Sequence, residues 1–390
     1  MSKAITVLAA GGAGCRIIAE FAARNPDAGF RLLALDSDIS SLQASGLPEE
    51  SLIQVGKLWR AGRGCGGMVM DGQMAVANER KVLSSILAGT EVLLVVAGLG
   101  GGLATGGLPV IFSVAAKMRI TSVLLCTLPF AMEGYQRRSM ADRRISEDIM
   151  PVADAVVALP NDLLFNKLDA ETPILDAFRY SDIQMADSLL ALASILGGGN
   201  LFSADIAAFT GVLKRRHGLC SLGVGRVESG ESAPEKVVEQ LLESPFLGGR
   251  ESFETADAVM FSLLGGAELS LGNARAALDL AVHQVYAQND KNILLGAATT
   301  PALTGKLQLT ALAVRYLDRD LEVEPEKSKR KSRHSISGSA HESGGEQLAL
   351  PNLLTEAKGI MENTLPVVID GIDLDVPAFK RHGVALDLGK

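Results

Sequence analysis

Positive charge is what this chain has least to spare. Its 390 residues carry 37 lysines and arginines against 45 acidic residues, a formal charge of −8, which excludes a nucleic-acid binder relying on bulk positive charge. The four cysteines, Cys15, Cys65, Cys126 and Cys220, form no CxxC pair, so neither a disulfide scaffold nor a zinc site is indicated and a reducing compartment fits. Five histidines, His217, His283, His334, His341 and His382, show no metal-ligand spacing. The first ten residues hold one lysine and a short apolar stretch, too little for a secretory signal. A cytoplasmic protein is expected.

Charge is also absent from Val92 to Ala116, which satisfies a naive transmembrane count. Gly98, Gly100, Gly101, Gly102, Gly106, Gly107 and Pro109 would interrupt a spanning helix there. A buried strand, a glycine loop and a helix are expected instead.

Apolar residues, at 47%, suffice for a large core, and the length suits two or three domains. The first half alternates short β-rich runs with helical patterns, the signature of a parallel sheet covered on both faces. Strands are expected at 5–9, 31–35, 92–97, 122–127 and 155–159. Asp176 to Leu196 carries apolar residues at helical spacing and stops at Gly197, Gly198 and Gly199, which reads as one long buried helix between two domains. Beyond it, helices at 233–242 and 274–286 mix with strands at 219–224, 258–264, 293–297 and 307–314, an α+β pattern. From about residue 320 the composition shifts: Lys327, Lys329, Arg330, Lys331 and Arg333 stand among serines with almost no large apolar side chain. Such a segment buries too little to offset its ordering entropy, so a linker is expected.

Glycine is the compositional excess, at 41 residues against a usual share of roughly 7%. Fifteen of them fall at 11–14, 56–72 and 98–107, after predicted strands or between elements. Open parallel sheets bind ligands at their carboxyl edge. Glycine lets backbone N–H groups approach a phosphate there, with help from a following helix N-terminus. The NAD fingerprint fails because Ile17 stands where its third glycine belongs, and no glycine loop runs into the Lys-Ser or Lys-Thr of a P-loop. Another kind of nucleotide site is implied, and a dehydrogenase is set aside.

Blocks along nearly the whole chain, among them LAAGGAGC, ALDSD, VGKLWRAGRGCGG, VVAGLGGGLATGGLP, LPFAMEGYQRR, ALPNDLL, LDAFRYSD, GGGNLFSAD and NILLGAATTPALTGKLQLT, resemble FtsZ, the bacterial tubulin-like GTPase of cell division. The resemblance implies a tubulin/FtsZ-like α/β fold: a parallel-sheet GTP-binding domain at 1–175, a central helix at 176–198, and a smaller α+β domain at 199–318. A disordered linker at 319–370 and an adaptor-binding peptide at 371–390 would follow. It implies GTP/GDP as ligand, with any metal being Mg²⁺ held mostly by phosphates and water.

Residue by residue, it assigns Gly11, Gly12, Gly14, Gly100, Gly101, Gly102, Thr105 and Gly106 to loops that cradle phosphates, and Arg63 and Gly64 to a loop near the γ-phosphate. Glu133 and Arg137 match the ribose and phosphate pair, while Phe178 and Asp182 match the guanine contacts. Asn200 and Asp205 match the loop that enters the next subunit's pocket and positions the attacking water, so head-to-tail assembly and hydrolysis would be coupled. DLDVPAF, Asp373 to Phe379, matches the peptide that binds membrane adaptors, tethered by a linker spanning on the order of 40 Å. The membrane would be reached only indirectly, at the division site.

The chain departs from the family at Leu103 and Ala104, where threonine and glycine are usual, and at Phe202, where an acidic residue is usual. Leucine removes a phosphate-binding hydroxyl, and alanine would cost about 1–2 kcal/mol if the position needs a left-handed backbone. Slow hydrolysis is therefore expected, with a hydrolysis-deficient scaffold or co-polymer as the alternative. Arg16 and Arg63 replace uncharged residues, and guanidinium pairs well with phosphate. One or both are expected to contact it.

Overall fold

A computed structural model describes residues 5–24, 30–57, 62–165, 168–169, 171–196, 200–202, 206–214, 217–285, 292–300, 303–317, 368–369 and 372–373. The chain divides into two compact units, 1–324 and 325–390. In the second, Val368–Ile369 pairs antiparallel with Ile372–Asp373. The remainder of the expected linker and of the Asp373 to Phe379 peptide lies outside the described residues.

The first unit is organised by one sheet of eleven strands: β1 Ile5–Ala10, β2 Arg31–Asp36, β3 Leu52–Gln54, β4 Val92–Gly98, β5 Thr121–Leu128, β6 Ala155–Pro160, β7 Asn200–Phe202, β8 Gly218–Glu228, β9 Ala258–Gly265, β10 Asn292–Thr299 and β11 Lys306–Arg315. They lie in the order β3-β2-β1-β4-β5-β6-β8-β11-β9-β10-β7. The first six are all parallel. The sheet then continues through a short parallel pairing in which Ala155, Val156 and Val157 meet Gly218, Leu219 and Cys220. Beyond it β11 runs antiparallel between β8 and β9.

Side chains of a strand alternate between faces, and a strand covered on both sides reads as an unbroken apolar run. β4 does so, and β1 does but for Thr6. Val7, Ala9, Val92, Leu94 and Val96 pack on one face with Phe21, Met185, Leu189 and Leu192. Leu8, Ala10, Leu93, Val95 and Ala97 pack on the other with Val76, Leu83, Leu108 and Phe112. The helices Gly11–Arg24 and Ile174–Leu196 therefore cover one face, and Val69–Asn78 and Gly102–Lys117 cover the other. The apolar run from Val92 is β4, a loop and a helix, as its glycines require, and among the described residues no helix is long and apolar enough to cross a membrane.

The 23-residue helix Ile174–Leu196 packs mainly on Gly11–Arg24, and also on β5, β8, β9 and β11. It contributes to one apolar cluster that also holds Val157 of β6 and Met260, Leu312 and Val314 of the later strands. The strand order β3-β2-β1-β4-β5-β6 matters most for function. Successive connections cross to opposite sides between β1 and β4, which opens a crevice at the carboxyl ends of those two strands. Gly11 and Gly98 stand there.

Candidate nucleotide site

Two of the three glycine loops begin at that crevice. Gly11 directly follows β1 and has a positive φ of 77°. A Cβ added to it would lie 3.3 Å from the Cβ of Ala104, so the first and third loops touch. In the third, Gly100 has φ 99° and its N–H donates to Thr105 Oγ1 at 2.9 Å. Leu99 N–H donates to the Thr127 carbonyl at 3.0 Å. The helix Gly102–Lys117 then starts from Gly101 with no side chain capping it. Its first amides have no acceptor within the helix, and with the helix dipole behind them they suit an anion.

The second loop is pinned beside them. Arg63 forms a β-bridge with Asp38, Ile39 N–H donates to the Gly62 carbonyl at 3.2 Å, and Ser37 Oγ lies 3.2 Å from Cys65 Sγ. Arg63 is exposed on the cavity wall, and among the described residues it has no acidic partner.

The opposite wall is built from side chains. Glu133 Oε1 accepts the Phe130 N–H at 3.0 Å while Oε2 faces Arg137 Nη1 at 3.5 Å. Asp162 accepts from Arg138 Nη1 at 2.7 Å and from the Ala131 N–H at 2.9 Å. Asn161 Oδ1 accepts from Ser181 Oγ at 2.8 Å, joining this wall to the long helix. Phe178 stands edge-to-face on buried Phe130, with ring centroids 5.2 Å apart, an arrangement that fixes the ring's plane. One turn on, Asp182 accepts a hydrogen bond from Arg16 Nε at 2.8 Å.

Together these walls enclose about 460 Å³, within the range of small-molecule sites. Three arginines (Arg16, Arg63, Arg137) and four carboxylates (Asp36, Asp38, Glu133, Asp182) line it. Cations do not outnumber anions, so a phosphate here depends on backbone N–H groups. Burial raises Asp182 above its ordinary carboxylate value, with the Arg16 hydrogen bond working against the rise. Burial likewise raises Asp36, against hydrogen bonds from the Asp38 and Ser37 amides. Among the described residues no group of three or more His, Cys, Asp or Glu stands ready for a metal. The lining carboxylates Asp36 and Asp38 are of the kind that fits Mg²⁺, an ion that uses one or two carboxylates and takes its other ligands from phosphates and water.

Residues 4–169 match the family model described as Tubulin/FtsZ family, GTPase domain, and residues 218–315 match that described as FtsZ family, C-terminal domain. This chain belongs to the tubulin/FtsZ family. Among solved structures it is similar to an empty FtsZ dimer of M. jannaschii, at 23% identity over 84% of this chain and 96% of that one, with a TM-score of 0.72. A point mutant of M. jannaschii FtsZ shares 25% identity over 80% of this chain and 91% of that one, with a TM-score of 0.71. CetZ2 from Haloferax volcanii, a GTPγS-bound protofilament, shares 20% over 79% and 92%, with a TM-score of 0.63.

Of the residues that likeness to FtsZ singles out, Gly11, Gly12, Arg63, Gly64, Gly100, Gly101, Gly102, Glu133, Arg137, Phe178 and Asp182 converge on the cavity. Three others are not on its lining. Gly14 lies against β4, where a Cβ would come within 2.7 Å of the Val96 carbonyl oxygen. Gly106 lies under the helix Val69–Asn78, where a Cβ would meet the Val69 carbonyl oxygen at 1.9 Å. Thr105 is fully buried, its hydroxyl spent on Gly100. These glycines serve helix packing, and the threonine shapes the loop.

Asn200 is in β7, whose register pairs it with Ala298, and Asp205 lies outside the described residues. Ala104 carries no left-handed strain: it sits within the helix Gly102–Lys117, and among the described residues the non-glycine ones with positive φ are Arg119 and His217. Leu103 is 6% exposed and belongs to the apolar cluster on that face. Arg16 reaches Asp182 through Nε. A buried carboxylate within hydrogen-bond distance captures its Nε. Asp36 and Asp38 were not singled out as lining residues, although the ALDSD block contains both.

Proposed function

We propose that this chain binds GTP in the cavity between its glycine loops and the Phe178–Asp182 wall, assembles head-to-tail, and hydrolyses GTP slowly where two subunits meet. The carrying observation is the polarity of the site. Two glycine loops, each running into a helix N-terminus, form one end, and a fixed aromatic ring one turn from a carboxylate forms the other. That order suits phosphates at the first end and a guanine base at the second, with Glu133 and Arg137 against the ribose between them. Asp36 and Asp38, both on the lining, would help hold Mg²⁺, which would supply positive charge against the phosphates. Asn200 and Asp205 of one subunit would complete the site of the next and position the attacking water.

Slow turnover follows from Leu103 and Phe202, which remove a hydroxyl and a carboxylate from the two faces of such a site, while Ala104 adds a methyl where glycine is usual. The dimer and the protofilament formed by the structural neighbours support self-association. The linker and the Asp373 to Phe379 peptide would tether filaments to membrane adaptors at the division site.

GTP turnover measured against protein concentration tests this reading. An active site built at an interface makes specific activity rise with concentration, and a flat profile overturns it. The lost hydroxyl at Leu103 and the lost carboxylate at Phe202 also favour a second reading, a nucleotide-binding scaffold that does not hydrolyse. Filaments that pellet with GTP and release no phosphate would establish that one.

A further inference from the structure

The ion pair at the end of the cavity is asymmetric in a way that bears on which base it accepts. Arg16 uses only Nε on Asp182, through Oδ2, and among the described residues its two Nη groups have no partner. The Arg16 side chain is 51% exposed and that of Asp182 11%, and both line the cavity. The carboxylate therefore keeps acceptor capacity, and beside it stands a guanidinium edge with free donors. Phe178, one turn earlier on the helix of Asp182, gives a planar ligand its stacking surface.

We propose that Arg16 is a specificity-determining residue that reads the O6 atom of a guanine base held by Asp182. This rests on the nucleotide reading above and deepens it. Guanine presents O6, N1–H and the N2 amino group in a row along one edge. If Oδ2 accepts from N1–H and Oδ1 from N2, the Nη groups of Arg16 lie beside O6, and donors and acceptors match at all three points. The reversed placement sets guanidinium donors against the N2 amino donors, so the pair itself selects the orientation. Adenine fails twice: its N6 amino group faces Arg16, and its unprotonated N1 faces the carboxylate. Arginine is well suited to guanine O6, since its planar fork presents several N–H groups at fixed angles.

Competition binding to the full-length chain with GTP, 6-thio-GTP and ITP separates the two readers. The first analogue replaces O6 by a poor acceptor and the second lacks the N2 amino group. The native protein is expected to prefer GTP over 6-thio-GTP by about tenfold, the effect of one charge-assisted hydrogen bond. Arg16→Ala should abolish that preference while keeping the preference for GTP over ITP, which belongs to Asp182. Arg16→Gln, which retains a donor, should restore part of it and covers the case in which the alanine variant folds poorly. An undiminished preference in both variants overturns the proposal. So does tighter GTP binding by Arg16→Ala, which would make the ion pair a plug that the base must displace. If the native protein binds none of the three nucleotides, the guanine-nucleotide reading itself falls and this inference with it.

Discussion

The Gly100 amide and the Thr105 hydroxyl, 2.9 Å apart, hold the third glycine loop to the first turn of the helix that follows it. Gly100 turns with a positive φ and has no ladder partner, so its N–H must find an acceptor elsewhere or stay buried and unpaired. Thr105 supplies that acceptor. The helix amides at 102–104 are thereby held open toward the cavity.

Thr105→Val keeps the shape and removes the acceptor. Leaving a buried donor unpaired costs about 1–3 kcal/mol, so the denaturation midpoint should fall. GTP affinity should drop with it, because the loop loses its brace. Thr105→Ser should recover both. Unchanged stability and affinity in the valine variant would mean that the bond does not shape the loop.

Gly106→Ala distinguishes packing from phosphate binding. In a helix interior this change ordinarily gains up to about 1 kcal/mol. Here the new methyl would sit 1.9 Å from the Val69 carbonyl oxygen, a backbone atom that cannot swing aside. Overpacking of this kind costs about 1–3 kcal/mol, so chemical denaturation should show a less stable protein. A more stable variant would mean that the helices Val69–Asn78 and Gly102–Lys117 do not approach so closely.

Much of the sheet was legible because β1 and β4 are buried on both faces and announce themselves as runs that are apolar but for Thr6. The helix Ala233–Leu242 was read to the residue, and Ile174–Leu196 to within two. The three-residue edge strands β3 and β7 were missed, since three residues carry no periodicity to detect. The glycines were legible as a group and not singly. Gly14 and Gly106 look like Gly11 and Gly12 in sequence, and only the carbonyls of Val96 and Val69 across from them reveal a packing role. The pair of Arg16 with Asp182 joins positions 166 residues apart, a contact that no local pattern encodes.

Asp36 gives a pH prediction. The residue is 4% exposed and burial raises its carboxyl pKa from 3.8, so the folded protein holds this proton at pH values where the unfolded chain has lost it. Stability due to this group is greatest below 3.8 and declines as pH rises through the elevated folded value. Asp36→Asn removes the charge, and its Oδ1 can still accept the amides of Ser37 and Asp38 that Asp36 now accepts. The variant should be more stable than the native chain near pH 7, with the difference shrinking toward pH 4. Urea melts at several pH values check this, and a variant less stable at neutral pH would show that the ionised carboxylate is needed.

Arg63 tests the phosphate end of the cavity. It is exposed on the lining, its loop is fixed by the backbone of Asp38 and Ile39, and it has no acidic partner among the described residues. Its guanidinium is therefore free to meet a negative ligand. Arg63→Ala should weaken GTP binding by about tenfold, or about 1.4 kcal/mol, should weaken GDP less, and should leave guanosine unaffected. Because the contact is exposed, the difference should narrow as salt rises from about 0.05 to about 0.5 M and the screening length shortens. Titration calorimetry at the two salt concentrations resolves it. Equal losses for GTP and guanosine would assign the residue to loop structure, and an unchanged GTP affinity would leave the phosphates to the backbone amides of the two helix N-termini.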